Sequence, residues 1–164
     1  MTIPEVNACD RSGFVAAIGW VFEHSPWVAE RAWSRRPFDD VDQLHGTMSD
    51  EVASATRDEP LSLLRAHPDL GVRARMSEAS TSEQAGAGLD RLTPDQFERL
   101  HRLNSAYRGK FAFPFVLAVT GRTTPEILDA LEQRLAGAPD EELTEALRQV
   151  SRIARIRLEN IFRT

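Results

Sequence analysis

The sequence predicts an all-α protein, a single compact domain of about eight helices. Helix-start signals, in which Ser, Thr or Asp stands just before the first helical residue, recur along the chain. Apolar residues follow them at spacings of three and four. Only one apolar run could form a strand, and no second run is available to pair with it. The 164 residues, 41% of them hydrophobic, suffice for one buried core, so we expect one domain over residues 1–164.

Four helices are expected in the first half of the chain. They begin at Asp10, at Ser25-Pro26, at Asp40 and at Pro60, and the second ends before Pro37. Their apolar positions are Phe14, Ile18, Val21 and Phe22; Trp27 and Trp33, both expected in the core; Val41, Leu44, Met48, Val52 and Ala55; and Leu61 and Leu64.

The second half begins with a charged stretch between Gly71 and Ala79, which we interpret as a loop. The capping box Thr93-Pro94-Asp95-Gln96 then predicts a helix start, and a similar signal recurs at Thr124-Pro125-Glu126. The other expected boundaries are a start at Ser80 leading into residues 85–89, stops at Gly109 and Gly137, and a last helix from about Asp140 to Ile161.

The apolar run Phe111–Val119 is the one candidate strand. Its periodicity does not separate a buried strand from a buried helix at this length. Pro114 argues against a central strand, because proline cannot donate to the sheet. We interpret the run as an extended turn that leads into a buried helix.

His67 stands where the fourth helix should end. Pro68 restricts the residue before it to an extended conformation, so the helix should stop at about His67. An imidazole at a helix C-terminus is favoured in its protonated form, and its ordinary pKa lies near neutrality. His67 is therefore a candidate for proton transfer, and the alternative is a capping histidine that bonds the last carbonyls of the helix.

Arg157 lies in the apolar stripe of the last helix, about 20° from Val150 at 100° per residue. A guanidinium that points inward needs an anionic partner, because an unpaired buried charge is costly. The partner is either an internal Asp or Glu or the carboxylate of a ligand, which the planar guanidinium fits well.

Ser80-x-x-Glu83 has two interpretations. It is a capping box, or it is a polar cluster at a helix N-terminus where an anion is favoured. In the second case Glu83 could accept a proton or orient an imidazole, and Gln84 could bind an amide or urea edge. Asn104 and Tyr107 are expected to be internal hydrogen-bonding residues.

Composition excludes several other functions. The net charge of −5, with scattered arginines, argues against nucleic acid as a partner. A lone Cys9 and four dispersed histidines fit no metal-ligand spacing, so no metal is expected. No signal peptide or membrane-spanning run is visible, so we expect a soluble cytoplasmic protein that binds no membrane.

Several separated motifs resemble the OHCU decarboxylase family, which acts on 2-oxo-4-hydroxy-4-carboxy-5-ureidoimidazoline (OHCU) between urate and allantoin. They cover nearly the whole chain in the family's order. They are Glu23-His24-Ser25-Pro26-Trp27-Val28, Arg65-Ala66-His67-Pro68-Asp69-Leu70, Ser80-x-x-Glu83-Gln84-x-Gly86-Ala87-Gly88-Leu89, Leu103-Asn104-x-x-Tyr107-x-x-Lys110-Phe111-x-Phe113-Pro114-Phe115 and Ile153-Ala154-x-Ile156-Arg157-Leu158.

The resemblance implies an all-α homodimer that needs no cofactor or metal and converts OHCU to (S)-allantoin. It implies catalytic roles for His67 and Glu83. The substrate-binding positions that it implies are Pro68, Ser80, Gln84, Arg157 and the main chain of Phe115, Val116, Leu117, Ala118 and Val119. Ala112 departs from the family, which commonly has Gly there, and a methyl group could shift the turn if it needs a positive φ.

Two other functions are compatible with the residues. One is a non-catalytic helical domain that binds a ureide or a protein, with His67 and Arg157 structural. The other is a hydrolase that uses His67 and Glu83 as a base dyad, although the sequence offers no obvious nucleophile for it.

Overall fold

The computed structural model describes residues 1–56, 58–71 and 77–163. Within these ranges the chain forms nine α-helices, one short 3₁₀ helix and no strand, which confirms the all-α prediction. The α-helices are α1 (Ile3–Ala8), α2 (Arg11–Ile18), α3 (Trp27–Trp33), α4 (Val41–Ala53), α5 (Asp58–Arg65), α6 (Glu78–Gly86), α7 (Pro94–Phe111), α8 (Thr124–Leu135) and α9 (Pro139–Ile161), and the 3₁₀ helix is Gly19–Val21.

Three predicted helix starts are confirmed by their capping hydrogen bonds. The side chains of Asp10, Asp40 and Thr93 each accept a hydrogen bond from the backbone N–H three residues further on. Each cap satisfies a donor that the helix itself leaves unpaired, which typically stabilises a helix by about 1 kcal/mol. The capping box at Thr93 is complete, because the Gln96 side chain accepts in return from the Thr93 N–H at 3.0 Å.

Other helix starts differ from the prediction. The N-cap of α3 is Pro26, and the Ser25 hydroxyl instead donates to the carbonyl of Glu23 at 3.1 Å. Helix α8 is capped by Thr123, one residue before the predicted position. The first helix, α1, was not predicted, although its capping box between Thr2 and Glu5 was visible in the sequence.

The end of α7 also differs. The helix passes Gly109 and continues to Phe111, whose ring packs against Tyr107 with 4.6 Å between centroids. It ends at Ala112, which has φ 63° and donates its N–H to the carbonyl of Arg108 at 2.9 Å. The predicted buried helix after Phe111 is wrong, because the rest of the apolar run is not helical and α8 starts only at Thr124.

The chain divides into two compact units. The first contains Met1–Ala66 and the chain from Val150 onward, and the second contains His67–Gln149. Helix α9 therefore contributes residues to both units. None of the helices in the described ranges combines the length and the apolar character that a bilayer crossing requires.

The first unit packs α2, α3 and α4 around fully buried side chains that include Phe14, Ile18, Leu44 and Met48. Burial of each such side chain favours folding by roughly 1.5–3 kcal/mol. The expectation that Trp27 and Trp33 belong to the core is wrong. Both are only half-buried, and each carries an arginine over its ring: Arg31 at 4.5 Å from the Trp27 centroid and Arg36 at 4.2 Å from the Trp33 centroid.

The second unit packs α7 against α8. Its centre is an aromatic cluster of Tyr107, Phe111, Phe113 and Phe115, in which Tyr107 meets the other three rings at centroid distances of 4.6, 5.9 and 5.4 Å. This cluster joins the C-terminal turns of α7 to the non-helical chain that follows. It thereby fixes the position of the segment that the sequence marked as substrate-binding.

Candidate active site

His67 lies two residues beyond α5 and is buried, with 7% of its surface exposed. The prediction that the helix stops near this residue is confirmed, since α5 ends at Arg65. Pro68 follows and is half-buried. A buried imidazole beside a partly accessible proline is suited to a proton-transfer site, because the surroundings restrict the ring to few orientations.

The turn after His67 is held by two buried amide side chains from neighbouring helices. Asn104 of α7 donates its Nδ2 to the carbonyl of Leu70 at 3.0 Å, which confirms its predicted role as an internal hydrogen-bonding residue. Gln84 of α6 accepts from the Gly71 N–H through Oε1 at 2.9 Å. The oxygen of Gln84 is thus engaged within the protein.

Gly71 is required at the end of this turn. Its φ is 78°, a conformation that residues with a side chain seldom adopt. A Cβ at this position would lie 2.8 Å from Cδ2 of Leu100. The close approach of α7 and the two amide hydrogen bonds therefore fix the main chain that follows His67.

Helix α6 carries the three other polar residues of the predicted site. Ser80 and Gln84, four residues apart, share the buried face of the helix, and each has 7% of its surface exposed. Glu83 is half-buried beside them. The capping-box interpretation of Ser80 and Glu83 is wrong, because the N-cap is Ser77, whose hydroxyl accepts from the Ser80 N–H at 3.1 Å. Ser80 instead lies in the first turn of α6.

The five residues from Phe115 to Val119 are all buried, with 1–5% of their surfaces exposed. The chain here is neither helix nor turn. Side chains hold part of its main chain: the carbonyl of Val116 accepts from Arg134 at 2.6 Å, and the N–H of Ala118 donates to Gln149 at 3.0 Å. The Ala118 carbonyl accepts from the Arg122 side chain, also at 3.0 Å.

A buried polar network supports this segment. Glu142 accepts from the Tyr107 hydroxyl at 2.6 Å and from Nε of Arg134 at 3.1 Å. Burial, together with the hydrogen bond to Glu142, raises the pKa of Tyr107, so its hydroxyl stays a donor at all physiological pH values. The Arg134 guanidinium also lies 4.6 Å from the ring centroid of Phe115.

Arg134, Glu142 and Gln149 were not predicted from the sequence. The burial of Glu142 was predictable, because Glu142, Ala146 and Val150 follow one another at four-residue spacing on the last helix. Arg134 gave no such signal, since its partners come from a different helix and from the non-helical segment.

Arg157 belongs to the first unit and is buried, as predicted from its place in the apolar stripe of α9. Its Nη2 lies 3.0 Å from Oε2 of Glu23, which is also buried. Its Nη1 donates to the carbonyls of Trp20 and Val21 at 3.3 and 3.2 Å. Of the two partners that the sequence left open, the structure provides the internal acid.

In the part of the chain that the structure describes, no group of three or more His, Cys, Asp or Glu side chains is arranged to hold a metal ion. Two short stretches of the second unit, residues 67–68 and 80–84, carry an imidazole, a hydroxyl, a carboxylate and an amide. Such a set can move protons and bind a polar, hydrogen-bonding ligand.

The chain is similar to known proteins over most of its length. The profile of the OHCU decarboxylase family matches residues 7–159. The 2-oxo-4-hydroxy-4-carboxy-5-ureidoimidazoline decarboxylase of Haloferax volcanii is 48% identical over 162 residues, which cover 99% of this chain and 96% of the relative.

Two solved structures share the fold. A crystal structure of (S)-allantoin synthase superposes with a TM-score of 0.83 at 32% identity and covers all of this chain, which spans 55% of that longer protein. A crystal structure of OHCU decarboxylase in the presence of (S)-allantoin superposes with a TM-score of 0.70 at 25% identity, over 84% of this chain and 92% of the other. With a profile match over most of its length and a relative at 48% identity, the chain belongs to the OHCU decarboxylase family.

Proposed function

We propose that this protein decarboxylates OHCU to (S)-allantoin in the degradation of urate. The observation that carries the proposal is the buried imidazole of His67, whose following turn is fixed by Gln84, in a chain 48% identical to a decarboxylase of this name. Gln84 lies on the helix that also carries Ser80 and Glu83. The hydrogen bond from the Gly71 N–H to Gln84 thus connects the turn after His67 to the helix that carries Ser80 and Glu83.

The substrate itself explains why these side chains suffice. The carboxylate of OHCU is bound to C4, beside the C5=N double bond. When the bond from C4 to the carboxylate breaks, its electron pair forms a C4=C5 double bond, and the imine electrons move to the nitrogen, which takes up a proton. The C4 hydroxyl then loses its proton as C4 becomes a carbonyl, and C5 gains one. The net reaction consumes one proton and releases carbon dioxide.

The protein must therefore orient the carboxylate for loss and move protons at two neighbouring positions. We assign proton transfer at the C4 hydroxyl and at C5 to His67, with Glu83 orienting the imidazole. Protonation of C5 from one face makes the product a single enantiomer. Ser80 and the amide nitrogen of Gln84 are assigned to the ring and ureido groups, and Pro68 to the wall beside the imidazole.

The main chain of Phe115, Val116, Leu117, Ala118 and Val119 is assigned to substrate binding as well. Arg157 keeps the role of substrate-binding arginine in this proposal, on the basis of the family motif that surrounds it in α9. Its ion pair with Glu23 would then fix the guanidinium before the substrate arrives, which lowers the entropic cost of binding.

We further propose that the chain acts as one domain in a homodimer in the cytoplasm, without a nucleic-acid or membrane partner. The family profile, which spans residues 7–159 as one unit, supports the single domain. The net charge of −5 supports the exclusion of nucleic acid. Light scattering on the purified protein measures the oligomeric state, and a monomer mass would contradict the homodimer.

The function is tested by adding the purified chain to freshly prepared OHCU and following the release of carbon dioxide. The proposal predicts a rate that exceeds spontaneous decay and rises in proportion to the protein concentration. Binding of OHCU without faster release would identify a non-catalytic ureide-binding domain. Ring opening with the carboxylate retained would identify a hydrolase.

A further inference from the structure

Among the described residues, side chains bond the main chain of the buried segment Phe115–Val119 only at Val116 and Ala118. Arg134 binds the carbonyl of Val116, Gln149 binds the N–H of Ala118, and Arg122 binds the carbonyl of Ala118. The Val119 carbonyl is used in the turn to Arg122. Within the described residues, the N–H and C=O groups of Phe115 and Leu117 and the N–H of Val119 make no hydrogen bond to protein.

The alternation between bonded even-numbered and unbonded odd-numbered residues is expected for a segment without helix or turn. In an extended chain the N–H and C=O groups of one residue point to one side, and those of the next residue point to the opposite side. The side chains of Arg134, Arg122 and Gln149 therefore bind one side of the segment. The main-chain groups of Phe115, Leu117 and Val119 face the other side. Buried main-chain groups are costly when unpaired, so this second side is suited to a polar ligand.

We infer that Arg134 is a positioning residue for the proposed reaction: it fixes the Val116 carbonyl, so that the main-chain groups of Phe115 and Leu117 are presented to the substrate. The inference rests on the proposed function and extends it. It assigns the substrate contacts of the segment to its odd-numbered residues. It also gives a part in substrate binding to Arg134, which lies outside all of the family motifs.

The surroundings of Arg134 suit it to this role. Oε2 of Glu142 lies 3.1 Å from Nε and 3.0 Å from Nη2 of the guanidinium, so the plane of the group is fixed. The ring of Phe115 lies against it. Its Nη1 is thus directed at the Val116 carbonyl at 2.6 Å. A planar, multiply bonded guanidinium holds a carbonyl in a way that a flexible ammonium does not.

The inference is tested by comparing Arg134→Met with the wild-type protein in steady-state kinetics on OHCU. Loss of one or two ligand hydrogen bonds, each contributing about 1 kcal/mol, should raise KM about tenfold, with a smaller change in kcat. Gln149→Met, which releases the Ala118 N–H from the same side, should raise KM in the same way. Arg134→Lys should recover part of the loss, because an ammonium still donates to a carbonyl.

Tyr107→Phe is the matched control. It removes the hydroxyl that donates to Glu142 and accepts from Nη2 of Arg134 at 3.4 Å, while the bond from Nη1 of Arg134 to the Val116 carbonyl is kept. It should lower the midpoint of thermal unfolding while leaving KM within about twofold of wild type, since no ligand hydrogen bond is lost.

The outcomes separate the two claims. An active wild-type protein whose Arg134→Met and Gln149→Met variants keep a wild-type KM overturns the positioning role alone. So does a KM that rises equally in Tyr107→Phe, because the effect would then follow stability. A wild-type chain that does not decarboxylate OHCU overturns the proposed function, and this inference with it.

Discussion

Nη2 of Arg157 lies 3.0 Å from Oε2 of Glu23, and both side chains are almost completely buried. The arginine lies in the apolar stripe of α9, and the acid precedes a residue with a positive φ, His24 at 50°. Ion pairs at this depth gain from low screening but lose the hydration of both charges. Removal of one charge should therefore destabilise the first unit, because the other charge would stay buried without its partner in this ion pair.

Glu23→Gln should destabilise the protein by about 3 kcal/mol, since it leaves the guanidinium charge buried without its counter-ion. The measurement is chemical denaturation followed by circular dichroism. Arg155→Gln on the same helix is the control. Its partners Asp42 and Glu159 are largely exposed, so the loss should stay below about 1 kcal/mol. Equal losses of unfolding free energy in the two variants would show that the buried ion pair contributes no more to stability than the exposed one.

Ala112→Gly should stabilise the protein by about 1 kcal/mol. Ala112 ends α7 with φ 63° and ψ 20°, and an L-residue with a Cβ is strained in this left-handed conformation, which glycine adopts freely. The turn forms here in spite of the methyl group.

Ala136→Gly provides the comparison for Ala112. Ala136 ends α8 with φ −79°, where glycine gains nothing and loses more chain entropy on folding, so this variant should be slightly less stable than wild type. Thermal unfolding measures both changes. A lower midpoint for Ala112→Gly would contradict the assigned strain.

Tyr107 is the one tyrosine of the chain, so its ionisation has its own absorbance signal. Burial and the bond to Glu142 raise its pKa in the folded protein above the ordinary value of about 10. The group therefore stabilises the fold fully below pH about 10, and this stability is lost as the pH rises further, because only the unfolded chain ionises there.

In an alkaline titration, the tyrosinate absorbance should therefore appear together with the loss of the far-ultraviolet circular dichroism. Tyrosinate formation near pH 10 in a protein that keeps its helical signal would show that the hydroxyl is not held as the structure describes. Tyr107→Phe should remove this additional loss of stability at alkaline pH, although other groups continue to titrate.

The sequence predicted the elements whose signals are local. Helix α9 was placed within a residue of its observed bounds, and the caps at Asp10, Asp40 and Thr93 were found, because a side chain three residues from an N–H decides each of them. The N-cap of α6, at Ser77 rather than Ser80, shows where local signals were insufficient. Ser77 offered an equivalent cap three residues earlier, and the pairing of Ser80 with Glu83 gave no means of choosing between them.

The features of the site were likewise predictable only where they depend on one helix. The burial of Arg157 followed from periodicity, which is a property of one helix. Its partner Glu23 did not follow, since it lies far away in the sequence. The network of Arg134, Glu142 and Tyr107 unites three helices, and Gln84 bonds the turn after His67; such contacts depend on tertiary packing that no local pattern encodes. The roles assigned to His67, Glu83 and the substrate-binding residues stay predictions.

The most direct measurement of the central claim is the optical activity of the allantoin formed from fresh OHCU by wild-type protein and by His67→Asn, each at the same concentration. We predict (S)-allantoin from the wild type, and racemic product at the spontaneous rate from His67→Asn with its helical circular dichroism intact. Enantiomerically pure (S)-allantoin from a folded His67→Asn variant at the wild-type rate would contradict the role given to this imidazole.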